Sequence, residues 1–175
     1  MPAEDGLVLP VLHGERVTLR PLDKPALDVL VVLLAHESVR RWWGTVEGPV
    51  ALREDLRHDG TAFAIEVDST VAGWLGIAEE TTPDFRHVGL DIALGAEFQD
   101  RGLGSEALRT VLRWLIDERG HHRFTIDPAA ANVRAIRAYE AVGFRRVGVV
   151  RRYERAPDGS WQDGLLMDLL AEELR

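Results

Sequence analysis

The stretch His87-Val88-Gly89-Leu90-Asp91-Ile92-Ala93-Leu94 alternates without a break. Successive side chains of an extended chain point to opposite faces, so Val88, Leu90, Ile92 and Leu94 share one face, and Gly89, Asp91 and Ala93 the other. The period then changes. From Leu103 to Glu118, the residues Leu103, Ala107, Leu108, Val111, Leu112 and Leu115 form one stripe of an amphipathic helix, which Gly120 ends. Arg123 to Asp127 reads as a short strand stopped by Pro128. Strand, helix and strand in succession imply a parallel pair joined by a right-handed crossover.

Outward from this unit the pattern differs. Arg16 to Arg20 reads as a strand ending at Pro21, followed by helices over 25–37 and 50–58. Between these helices, Arg40-Arg41-Trp42-Trp43-Gly44 reads as a loop with two aromatics. Strands over 62–67 and 71–79 meet at a turn near Asp68-Ser69, and strands over 144–154 and 161–170 flank Pro157-Asp158-Gly159. The order β-αα-βββ-α-β-α-ββ predicts an α+β fold with a mixed sheet, in one domain over residues 1–175 with 1–14 as a leader.

Composition limits the chemistry. The chain has 175 residues, 46% of them hydrophobic, and no cysteine. The missing cysteine excludes disulfides, thiolate metal sites and a Cys nucleophile. The six histidines show no metal spacing, His121-His122 reads as a helix-end pair that caps or is solvated, and no metal is expected. No apolar run approaches the ~20 residues of a membrane span, and Met-Pro-Ala-Glu-Asp does not open a signal peptide, so a cytoplasmic protein is expected. The net charge of −8 is uneven: residues 1–100 hold 8 Lys and Arg against 18 Asp and Glu, and residues 101–175 hold 13 against 11. An acidic first half disfavours nucleic acid and anionic membranes and favours a cationic partner.

Two motifs carry the chemistry. Gln99-Asp100-Arg101-Gly102-Leu103-Gly104-Ser105 leads into the helix that starts near Leu103. Glycines there let the backbone approach a ligand, and the free N–H groups of a first helical turn suit a pyrophosphate. The run Gly102-Leu103-Gly104-Ser105-Glu106-Ala107 also matches the dinucleotide pattern G-x-G-x-x-A. That pattern should follow its strand directly, whereas here Gly95 to Arg101 intervene and no long β/α array follows. The second motif is the segment Asn132-Val133-Arg134-Ala135-Ile136-Arg137-Ala138-Tyr139-Glu140-Ala141-Val142-Gly143-Phe144. It reads as a helix capped by Asn132 and closed by Gly143, with Phe144 packing back.

With both motifs in order, residues 15–170 resemble the GNAT superfamily of N-acetyltransferases. The resemblance implies a largely antiparallel sheet splayed between two central parallel strands and flanked by about four helices. It implies acetyl-coenzyme A as donor, with the pyrophosphate on Gln99, Asp100, Arg101, Gly102, Leu103, Gly104 and Ser105. The pantetheine arm would lie beside Ile92, Ala93 and Leu94 and reach Asn132, and Tyr139 would protonate the departing thiolate. Asn132 can serve as helix cap and cofactor contact together.

Trp42-Trp43-Gly44, Gly89-Leu90-Asp91 and Asp127-Pro128-x-x-x-Asn132 look like segments of aminoglycoside 6′-N-acetyltransferases. That likeness implies Asp91 as the base and Asp127 as a contact to the amino sugar, with antibiotic resistance as the associated role. An amine arrives as ammonium and must lose a proton, and carboxylates both accept protons and hold cations. Trp42 and Trp43 could stack on a sugar ring or face a cation. Glu79, Glu80 and Asp84, on a segment shorter than that group leads one to expect, are further candidate cation contacts. The partner expected is thus a cationic small-molecule amine, bound by a monomer or homodimer. Two other acceptors stay open. Gly14-Glu15-Arg16-Val17-Thr18-Leu19-Arg20-Pro21-Leu22 looks like the opening of enzymes acting on protein N-termini, and the D-P-x-x-x-N element resembles lysine side-chain acylases of siderophore assembly. A non-catalytic coenzyme A sensor is the reading from a different class.

Overall fold

The computed structural model describes residues 9–43, 48, 50–54 and 61–175. Its strands are β1 (Leu12–His13), β2 (Val17–Pro21), β3 (Thr61–Val67), β4 (Thr70–Glu80), β5 (His87–Leu94), β6 (Arg123–Ile126), β7 (Arg145–Arg155) and β8 (Trp161–Leu170). The helices are α1 (Lys24–Leu34), α2 (Glu37–Trp43), α3 (50–54), α4 (Leu103–Asp117) and α5 (Val133–Val142). The strands form one sheet in the order β1-β2-β3-β4-β5-β6-β8-β7. Every neighbouring pair is antiparallel except β5–β6, which is parallel. This is the α+β fold that the element order predicts, with the largely antiparallel sheet that the family resemblance implies.

Local chemistry accounts for the elements. Asp68 and Ser69 both have positive φ, 49° and 61°, giving the β3–β4 hairpin a two-residue turn whose twist matches that of the strands. Asp23 caps α1, its Oδ1 accepting the Ala26 N–H at 2.9 Å. The six apolar residues of the α4 stripe are fully buried against the sheet, each such Leu contributing roughly 1.5–3 kcal/mol of hydrophobic stabilisation. They join Phe63, Ile65, Leu75, Val88, Leu90 and Phe124 in the larger core. A second core on the opposite face gathers Leu27, Leu30, Leu34, Trp74 and Ala93 under α1 and α2.

α5 matches its reading from sequence. Asn132 Oδ1 accepts the Ala135 N–H at 3.2 Å. Gly143 ends the helix at φ 124°, where a Cβ would meet the Glu173 carbonyl oxygen at 2.4 Å, so only glycine fits. Phe144 is buried and turns its ring edge toward Tyr139, centroids 6.2 Å apart.

Three expectations need correction. Arg40 to Trp43 is helical rather than loop, because the chain breaks near Ala35 and restarts as α2; the helix expected over 25–37 is therefore two. Leu12 and His13 of the expected leader pair with Leu19 and Thr18, which gives the sheet an additional short edge strand. The pair His121-His122 is not simply solvated, since His121 is 2% exposed and its Nε2 donates to Glu79 Oε2 at 2.8 Å. Gly44 and residues 55–58 of the expected second helix lie outside the described residues.

The parallel seam is brief. β5 and β6 pair only at Val88–Phe124 and Gly89–Thr125, while β5 stays paired with β4 along its whole length and β6 with β8. Beyond Gly89 the two strands part. Among the described residues no strand pairs with β5 on its β6 side from Leu90 onward, and apart from the Ile92 N–H and Leu94 O, which side chains engage, the backbone there keeps hydrogen-bonding capacity.

Candidate active site

A cavity of about 610 Å³ opens where β5 and β6 part. One end is walled by backbone. Ile92, Ala93 and Leu94 of β5 border it, followed by Gln99, Asp100, Gly102, Leu103, Gly104 and Ser105. Asp100 and Gly102 both have positive φ, 58° and 75°, which folds the loop back on itself at the tip of α4. Glu106 is the first residue of α4 whose N–H reaches a carbonyl one turn back, Gly102 O at 3.1 Å. The N–H groups of Leu103, Gly104 and Ser105 thus have no acceptor within the helix, and the positive end of its dipole adds to them. This donor set fits a diphosphate, and the open rim of β5 fits an amide-bearing arm.

The loop is braced from three sides. Gln99 Nε2 donates to Leu94 O at 2.9 Å, and Arg134 Nη1 donates to Gln99 Oε1 at 2.7 Å. The Gln99 side chain therefore ties β5 to α5. Arg16 Nη1 donates to Arg101 O at 2.9 Å, while Glu106 accepts from the N–H groups of Arg16 and Val17. Arg101 itself does not line the cavity. Ser105 Oγ donates to Ala138 O at 3.3 Å, joining α4 to α5.

The other end is walled by side chains. Asp91 lies two residues past the last β5–β6 pair, and Asp127 lies two residues past the same pair on β6. Both line the cavity, as does Tyr139. Asp91 Oδ1 accepts the Ile92 N–H at 3.0 Å. Tyr139 is 8% exposed. Burial first, then the charges of Asp91 and Asp127, raise its pKa well above the ordinary phenol value, so its proton stays on. Ser38, Val39, Trp42 and Trp43 of α2 also line the cavity. Trp43 packs edge-on against Trp74 at 4.8 Å, and the Arg41 guanidinium stands 4.9 Å over the Trp42 ring.

Sequence reasoning missed β7 at this site. Tyr153, Glu154 and Arg155 line the same end. The Tyr153 hydroxyl donates to Asp127 Oδ2. Glu154 is held above the usual carboxylate range by burial and by the charge of Asp127, against a hydrogen bond from Gln162. The one available signal was composition: the chain has two tyrosines, and both are here.

Glu79, Glu80 and Asp84 are not brought to this cavity. They lie beyond the other end of β5, where Glu79 and Glu80 face Val88 and His87 in register. Glu79 bonds Arg119 Nη2 at 3.0 Å and His121 Nε2 at 2.8 Å, Glu80 accepts from Thr82 N at 2.8 Å, and Asp84 is exposed on a 3-10 turn. Burial pushes the Glu79 carboxyl up, but the His121 and Arg119 bonds outweigh it and hold it below its ordinary value. Among the described residues, no cluster of three or more His, Asp or Glu could hold a metal, and no helix is long and apolar enough to cross a membrane.

The Acetyltransferase (GNAT) domain family matches residues 16–145. The aminoglycoside N(6′)-acetyltransferase type 1 of Klebsiella pneumoniae is 28% identical over 167 residues, covering 83% of this chain and 80% of its own. The N-alpha-acetyltransferase RimI of Mycobacterium tuberculosis is 34% identical over 87 residues, covering 49% of this chain and 52% of its own. In structure, RimJ of Mycobacterium smegmatis, solved with a coenzyme A disulfide, superposes with a TM-score of 0.81. It is 24% identical and covers 94% of this chain and 89% of its own, a likeness of fold alone. Family match, parted parallel strands and open helix tip agree: the chain belongs to the GNAT acetyltransferases, enzymes that transfer an acyl group from acetyl-coenzyme A.

Proposed function

We propose that this enzyme acetylates a primary amine of an aminoglycoside, at the 6′ position. The observation that carries the reading is the pair Asp91 and Asp127, at matched positions where β5 and β6 part and lining one cavity with Tyr139. An aminoglycoside bears several ammonium groups, and an end of the cleft carrying Asp91, Asp127 and Glu154 suits such a polycation. The relation to the Klebsiella enzyme over four fifths of both chains supports the same acceptor class.

Each side chain has a task in this reading. Asp91 takes a proton from the attacking ammonium, directly or through water. Asp127 holds a neighbouring ammonium so that the reacting nitrogen is aimed along the cleft. Trp42 offers its ring to the sugar, already stacked with Arg41 on one side. Acetyl-coenzyme A, when bound, supplies the thioester. The N–H groups of Leu103, Gly104 and Ser105 bind its diphosphate, with Asp100 and Gly102 shaping the turn and Asn132 bordering the arm. Tyr139 gives its proton to the leaving sulfur, and its raised pKa keeps that proton available throughout neutral and alkaline pH. With no cysteine in the chain, attack is direct, without an acyl-enzyme on a thiol.

A second reading keeps the donor and changes the acceptor to a protein N-terminus, favoured by the likeness to the Mycobacterium tuberculosis enzyme. A thiol-release assay with kanamycin, spermidine and an alanine-terminated peptide separates the two. Turnover led by kanamycin is expected. Preference for the peptide moves the assignment to the second reading, and tight coenzyme A binding with no turnover of any amine sinks both.

A further inference from the structure

Tyr153 reaches the cleft by an unusual route. β7 loses register with β8 between Val150 and Glu154, and Arg152 takes a positive φ of 49°. Asp163 Oδ1 accepts the Arg152 N–H at 2.7 Å and so holds this bulge in place. The Tyr153 side chain then packs against Gly164 of β8. A Cβ there would fall 2.6 Å from Tyr153 Cδ1 and 3.1 Å from Cγ, so a larger residue displaces the ring. The hydroxyl arrives at Asp127 Oδ2.

The same piece of β8 fixes the backbone after Asp127. Leu165 N donates to Pro128 O at 2.8 Å, Ala130 N donates to Asp163 O at 2.8 Å, and Ala129 forms a bridge with Gly164. Backbone and side chain of Asp127 are thus set by one hairpin. Among the described residues Tyr153 is the only hydrogen-bond donor to this carboxylate.

The identity of the donor matters. Arg or Lys in this place would hold the carboxylate and cancel its charge. A phenol holds one oxygen and leaves the charge intact, with Oδ1 remaining for a cation. The Asp127 bond, burial and the charges of Asp127, Glu154 and Asp91 push the Tyr153 phenol up to about 12, so it acts as a donor and not as a base.

We propose that Tyr153, seated on Gly164, is a positioning residue that fixes which oxygen of Asp127 meets the acceptor, and so selects amines carrying a second ammonium at a set distance. This rests on Asp127 being an acceptor contact, as proposed above.

Two measurements on the full chain test it. The Tyr139→Phe variant leaves Tyr153 as the sole tyrosine. Phenolate absorbance at pH 11 should rise about tenfold when Asp127→Asn is added, as the phenol returns toward an ordinary value of about 10. Equal absorbance in the two variants overturns the contact. In kinetics with kanamycin, spermidine and the peptide as parallel acceptors, Tyr153→Phe should raise the KM of the preferred amine about tenfold, the size of one lost charge-assisted contact. The acetyl-coenzyme A KM and the Tm should stay unchanged. Gly164→Ala should raise the same KM and add little on top of Tyr153→Phe. If Asp127→Asn raises the acceptor KM and Tyr153→Phe does not, the positioning role is overturned and the reading of Asp127 stands. If neither substitution moves it, the reading of Asp127 falls and this proposal with it.

Discussion

At the proposed donor end of the cleft, the groups that meet the ligand are backbone N–H groups from one run, residues 103–105, braced by Gln99 and Arg16. At the proposed acceptor end they are side chains from α2, β5, the residue after β6, and β7, far apart in the chain. The first kind of surface tolerates changes of side chain wherever the backbone can keep its shape. The second depends on each carboxylate and each hydroxyl separately. One fold can therefore keep its donor while acceptors diverge, as relatives named for an aminoglycoside and for an α-amino group illustrate.

Substitutions sharpen or break this contrast. The largest expected effect is at Asp91. Asp91→Asn should lower kcat by about 10²–10⁴-fold, the usual contribution of general base catalysis, with the acetyl-coenzyme A KM within about twofold. Steady-state kinetics in both substrates checks it, and unchanged kcat removes Asp91 as the base. Next comes Tyr139→Phe, with a kcat loss of about 10²-fold from the missing acid. Because the Tyr139 pKa is raised, this acid stays protonated past pH 10, and the wild-type rate should show no alkaline decline from it below that pH. A pH–rate profile that falls near pH 8 only in the protein carrying Tyr139 contradicts the assignment.

At the other end, Gly102→Val forces a β-branched residue to φ 75°, a strain of about 1–2 kcal/mol. The acetyl-coenzyme A KM should rise about tenfold for such a cost, while the acceptor KM does not move. A shift in the acceptor KM instead would break the division between the two ends. The smallest effect on activity is expected at Glu79, away from the cleft. Glu79→Gln should leave kcat/KM unchanged and lower stability by about 1–2 kcal/mol through weakened charged hydrogen bonds, read as a lower Tm. The pH dependence has a definite sign. The Glu79 pKa is depressed, and burial depresses that of His121 against the pull of Glu79. Both groups take up protons on unfolding, so their stability is present at neutral pH and is lost on acidification, from about pH 6.5 for His121 and below about 4.5 for Glu79. A wild-type Tm that rises between pH 7 and pH 5 contradicts this.

The contrast also explains what the sequence made legible. Residues 87–94 and 103–117 follow a single period each, and the helix from Asn132 to Gly143 is marked at both ends, so these parts and the backbone-lined end could be read from local pattern. Tyr153 could not. β7 is exposed on both faces for most of its length, so no alternation shows which residues point where, and the bulge at Arg152 resets the count. Trp42 and Trp43 sit in a helix too short to display a period. Glu79 looked like a cation contact because its two partners, Arg119 and His121, come from beyond α4, some 40 residues along the chain.

The parting of β5 and β6 sets stability against activity. Carried on in the same register, the pairing would place Leu90 beside Ile126 and Asp91 beside Asp127. Each added pair would tighten the sheet and consume the backbone groups that the cleft needs open. Selection for heat resistance alone would tend to zip this seam shut, stopped only when two carboxylates are driven together. The acids proposed to handle the amine also set a limit on how far that seam could close.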